Sequence, residues 1–95
     1  MNRLVVAFDC DGTLFTEDEA GSTIPNDDVL ELAHWFLRNG HSVIVWSSAG
    51  EDFARKVAEK FGLTGARTVP KGSVLVDIAV DDHPETTRGR VVIHV

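Results

Sequence analysis

Apolar residues along this chain fall into short unbroken runs, separated by stretches in which they recur at helical spacing. The first run, Leu4 to Phe8, contains no polar residue and is followed at once by Asp9-Cys10-Asp11-Gly12-Thr13. A strand covered on both faces has this unbroken character. Residues 12–25 then bring Gly12, Gly21, Ser22, Thr23 and Pro25 among acidic residues, the composition of a loop or a short hairpin. The spacing predicts a helix from about Asn26, with Val29, Leu30, Ala33, Phe36 and Leu37 on one face. Asn26 is a good N-cap, Asp27 and Asp28 suit the first turn, and Gly40 sits where the C-terminal cap belongs.

Ser42 to Trp46 form the second predicted strand, stopped by Ser47-Ser48-Ala49-Gly50. A second helix follows over Glu51 to Phe61, with Phe53, Ala54, Val57, Ala58 and Phe61 facing inward and Ser48 as its expected cap. Beyond it, Ala66 to Val69 suit a short strand and Pro70-Lys71-Gly72 a turn. Val74 to Val80 give a third clear strand ending in Asp81-Asp82-His83-Pro84, and Arg90 to Val95 give a last one. This alternation predicts an α/β domain with a small, mainly parallel sheet of four to five strands.

Size and charge narrow the function classes. A chain of 95 residues suggests one domain, near the lower limit for closing a core without staples. Its one cysteine, Cys10, excludes an internal disulfide framework, which fits a reducing, cytoplasmic setting. No apolar stretch approaches a membrane span, and Asp9 interrupts the only early hydrophobic run, so neither a signal-like segment nor a membrane partner is expected. The formal net charge of −6 disfavours generic binding to nucleic acid, while leaving a phosphorylated small molecule or macromolecular end open as a substrate. Oligomerisation is left open too.

Three apolar strands thus end in polar residues: Asp9 and Asp11, Ser47 and Ser48, Asp81 and Asp82. In an open α/β sheet, ligands bind beyond the carboxyl ends of the strands, so parallel neighbours would bring these groups into one small volume. Lys71 stands in the loop before the third strand, and Arg67 is the reserve cation if Lys71 points elsewhere. Carboxylates gathered in this way repel one another and gain protons unless cations compensate them. The bland alternative for Asp9 to Thr13 is a turn closed by one aspartate, which leaves the second aspartate unexplained. Cys10, between the two, is expected to point to the other side of the strand and pack.

The motif Asp9-Cys10-Asp11-Gly12-Thr13-Leu14 after an apolar strand resembles motif I of the haloacid dehalogenase (HAD) superfamily, mostly Mg²⁺-dependent phosphatases. The resemblance extends over most of the chain and implies a three-layer, Rossmann-like fold. It implies that Asp9 is the nucleophile, forming an aspartyl phosphate, and that Asp11 is the general acid and base. By the same resemblance Ser47 is the hydroxyl that binds the phosphoryl group, with Ser48 and Gly12 beside it, and Lys71 is the neutralising cation. Asp81 and Asp82 then complete a Mg²⁺ site with Asp9 and the Asp11 main-chain carbonyl. Only about fourteen residues separate Gly12 from Asn26, room for a flap but not for the cap domain of larger relatives. Phe15, on that flap, is a candidate substrate contact.

Two other functions use the same residues: a module that holds Mg²⁺ or phosphate without turnover, and an interaction protein. The four histidines, His34, His41, His83 and His94, lack the spacing of a zinc site. His83 alone stands near the expected mouth, where a solvated loop position is its simplest explanation.

Overall fold

The computed structural model describes residues 3–95. In chain order the elements are β1 (Val5–Asp9), β2 (Phe15–Glu17), β3 (Thr23–Pro25), α1 (Asp27–Arg38), β4 (Ser42–Trp46), α2 (Glu51–Lys60), β5 (Arg67–Thr68), β6 (Ile78–Asp81) and β7 (Val91–His94), with a single 3₁₀ turn at Pro84–Thr86. Five strands form one sheet in the order β5-β4-β1-β6-β7, and every neighbouring pair is parallel. β2 and β3 make a separate antiparallel hairpin, so the segment between the first strand and α1 is a flap.

Local chemistry explains the helices. Asn26 caps α1, its side chain accepting from the Val29 N–H, and Asp27 and Asp28 occupy the first turn, where the helix dipole favours negative charge. Such a cap is worth about 1 kcal/mol. At α2 the expected cap is corrected. Gly50, at φ 109°, is the N-cap and offers no side chain, so Ser48 is not the capping residue.

The three expected layers are also corrected. Val29, Ala33 and Phe36 of α1 and Ala54, Val57 and Ala58 of α2 share one core with Val6, Phe8, Val43, Val45 and Val80, so both helices cover the same face. The alternate strand residues Ala7, Ile44, Trp46 and Ala79 pack on the opposite face against Val76 and Val69. That face is roofed by the connection from β5 to β6, where Pro70 and Gly72 interrupt any helical run. A third, helical layer is therefore replaced by loop.

The third predicted strand is shorter than its apolar run. Pairing with β1 begins at Val6↔Ile78, and Leu75 is 97% exposed. Asp77 marks the boundary: its main-chain N–H donates to the Val5 carbonyl at 2.8 Å, and its Oδ2 accepts from the Val5 N–H at 2.8 Å. A hydrophobic run fixes burial only where it alternates with the pleat, and Val74 and Leu75 lie outside it. None of the described helices is long and apolar enough to cross a membrane.

Candidate functional site

From β1 the chain winds outward through β4 to β5, then returns to β6 on the other flank of β1. The strand order reverses there, which is where open α/β sheets gather ligands at their carboxyl ends. Asp9 closes β1, Trp46 closes β4 with Ser47 next in the chain, and Asp81 closes β6. A cleft of about 490 Å³ at this point is lined by Asp9, Asp11, Gly12, Ser47, Ser48 and Lys71, with Asp81, Asp82 and Thr86 among its other walls. The eight residues expected to carry catalysis, phosphate binding or metal binding, Ser48 and Gly12 included, thus line one cleft.

Within the cleft the acidic groups divide. Asp9, Asp81 and Asp82 each present an oxygen within 4.8 Å of the others, whereas the Asp11 carboxylate stands outside this group. Asp11 is exposed, and Asp9 and Asp81 are buried, at 7% and 1% exposure. The metal set expected from the side chains is therefore three aspartates.

Lys71 reaches the acids from its turn. Its Nζ lies 2.8 Å from Asp81 Oδ2 and 3.4 Å from Asp9 Oδ1. Asp81 Oδ2 is a buried oxygen, and the Lys71 ammonium is the protein group that faces it. The other Asp81 oxygen accepts from the His83 N–H at 2.8 Å. Arg67, the reserve cation, lies on edge strand β5 and does not line the cleft.

These surroundings set protonation. Burial, then the negative charge of Asp81, push the Asp9 carboxyl up to about 6, against the opposing pull of Lys71. Burial pulls the Lys71 ammonium down, but its contacts with Asp81 and Asp9 outweigh that and raise its pKa. Cys10 faces the helix-covered core, and burial, then Asp9 and Asp11, push its thiol up to about 12. It is a packing residue, as its alternation on the strand predicts.

Hydroxyls and glycine complete the cleft. Ser47 Oγ accepts from the Ala49 N–H at 3.0 Å, which leaves its own hydrogen to be donated into the cleft. Gly12 has φ +80°, and a Cβ there would fall 2.1 Å from Asp82 Oδ2. Only glycine leaves room for that carboxylate.

Sequence reasoning missed two residues. Thr13 is fully buried and bonds Asp82; its place inside the acidic motif was the available signal. Thr86 bonds Lys71 Nζ at 3.2 Å, and nothing in its sequence neighbourhood marks it. Phe15 requires correction as a substrate contact. It is buried, stacked on Phe61 at 6.0 Å and tilted against Phe53 at 6.5 Å, and so anchors the flap to α2. His83, itself exposed, stands at the rim of the cleft, its Nε2 3.5 Å from Asp82 Oδ2 and its Nδ1 3.2 Å from Glu85 Oε1.

The donor set fits a hard divalent cation. Asp9, Asp81 and Asp82 together offer the carboxylate oxygens that such a cation takes. No known protein family, curated protein or solved structure matches the chain, so the site is characterised by its own geometry.

Proposed function

We propose that the chain is a Mg²⁺-dependent phosphomonoester hydrolase of HAD type, working through an aspartyl phosphate on Asp9. The observation that carries this reading is the position of Lys71 Nζ between Asp9 Oδ1 and Asp81 Oδ2 at the carboxyl end of the central strand. A structural ion pair needs one carboxylate. Here one ammonium faces two, with Asp82 beside them and one acid close to its titration point.

In this reading an oxygen of Asp9 attacks phosphorus while the bond to the ester oxygen breaks. Asp11, outside the metal group and exposed at the mouth, gives its proton to the departing alcohol. Asp11 then takes a proton from water, whose oxygen attacks phosphorus and releases inorganic phosphate and the Asp9 carboxylate. Ser47 donates its hydroxyl hydrogen to a phosphoryl oxygen, and the Lys71 ammonium offsets the charge that gathers there. Asp9, Asp81 and Asp82 would hold the Mg²⁺, which supplies further compensation of phosphate charge.

Hydrolysis of an aryl phosphate by wild type and Asp9→Asn, each with Mg²⁺ and with chelator, tests the proposal. Turnover that needs both Asp9 and the metal is the expected result. Stabilisation by Mg²⁺ without turnover of any phosphomonoester would instead identify a binding module.

A further inference from the structure

An ammonium that neutralises two carboxylates and an incoming phosphate must stay between them. Lys71 is poorly equipped to do so by itself. It stands in a Pro70-Lys71-Gly72 turn, on a flexible four-carbon stem, and its contact with Asp81 is shorter than that with Asp9, 2.8 Å against 3.4 Å. Left to those two charges, it would settle against Asp81.

A third oxygen surrounds the ammonium. Thr86 Oγ1 lies 3.2 Å from Lys71 Nζ, so the three hydrogens of the ammonium face three oxygens on separate elements. The orientation of the hydroxyl is fixed, because Thr86 Oγ1 donates to the His83 carbonyl at 2.8 Å and so turns its lone pairs toward Lys71. The Pro84–Thr86 turn supplies the rigidity, following directly on the acidic pair that it must serve.

We propose that Thr86 is a positioning residue that holds the Lys71 ammonium within reach of both Asp9 and the substrate phosphate. The catalytic half of this proposal rests on the hydrolase reading given above. The hold on Lys71 is a matter of geometry and can be measured separately.

Two substitutions test it. Thr86→Val keeps the branched shape and removes the acceptor, while Thr86→Ser keeps the hydroxyl. Thr86 is exposed, so neither disturbs the core. Amine labelling read by peptide mass spectrometry should show Lys71 reacting several-fold faster in Thr86→Val than in wild type or Thr86→Ser, with Lys56 and Lys60 unchanged. On an aryl phosphate with Mg²⁺, Thr86→Val should lower kcat about tenfold with KM within twofold, and Thr86→Ser should return most of it. Unchanged Lys71 labelling in Thr86→Val overturns the proposal whether or not the protein hydrolyses phosphates. Faster Lys71 labelling in Thr86→Val, with a wild type that shows no Asp9-dependent turnover, establishes the hold and overturns its catalytic purpose.

Discussion

Thr13 and Asp82 bond each other in both directions. The Asp82 N–H donates to Thr13 Oγ1 at 3.1 Å, and that hydroxyl donates to Asp82 Oδ1 at 3.3 Å. The loop after β1 is thereby tied to the loop after β6, and Asp82 is aimed at Asp9. Thr13→Val should cost about 1–3 kcal/mol, because it strands a main-chain N–H and frees the carboxylate. Urea denaturation with chelator should show that loss, and the rise in Tm on adding Mg²⁺ should shrink.

Gly12→Ala places a methyl group where Asp82 Oδ2 now lies and imposes left-handed backbone on alanine. The strain alone is worth about 1–2 kcal/mol. Displacing Asp82 adds a functional loss, so stabilisation by Mg²⁺ should fall further than the melting temperature of the metal-free protein does.

Asp9 gives the fold a specific pH dependence. Its carboxyl rises from 3.8 to about 6 on folding, so between those values the metal-free native state holds a proton that the unfolded chain has released. Stability from this group therefore falls as pH rises through that window, by at most about 3 kcal/mol. Lys71, raised from 10.5, stays charged throughout and does not contribute to the slope. Denaturation midpoints at pH 4 and pH 7 should drop less for Asp9→Asn than for wild type. At pH 7 without metal, Asp9→Asn should be the more stable protein by about 1–3 kcal/mol while losing at least about a thousandfold in turnover.

Lys71→Met removes the charge that faces Asp9 and Asp81. The Asp9 carboxyl should then titrate above 6, as read by its carbon chemical shift, since Lys71 is what opposes burial and Asp81. Aryl phosphate turnover at pH 7 should fall about a hundredfold or more.

Cys10 provides a control for the fold itself. Buried, with a thiol pushed up to about 12, it should ignore aromatic disulfide reagents in the native protein and react at once in denaturant. Reaction under native conditions would contradict the packing described for β1.

The strand ends were legible in the sequence because each is an apolar run broken by polar residues, and Asp9, Ser47 and Asp81 stand at such breaks. Asn26 was legible as a cap because its chemistry is local. What escaped depended on neighbours distant in the chain. Phe15 sits on a flap and is nonetheless buried, since Phe53 of α2 and Phe61 just beyond its end arrive beneath it. Val74 and Leu75 carry strand-like side chains but lie before the point at which β1 offers a partner. Thr86 acquires its role from a lysine fifteen positions earlier, a relation no local pattern encodes.

The placement of β1 between β4 and β6 also dictates an order of assembly. Its pairing with β4 joins residues 5–9 to 42–46, but its other edge stays open until residues 78–80 arrive. The Asp77 side chain bonds the Val5 N–H across 72 positions of chain, so that edge is sealed by one of the most sequence-distant contacts in the molecule. Closing so long a loop costs entropy, so pairing β1 with β6 spans more chain than pairing it with β4. Asp9 meets Asp81 and Asp82 in that same event. A nascent chain that has not yet delivered β6 therefore carries no assembled acidic cluster, and the site requires β6 in register beside β1.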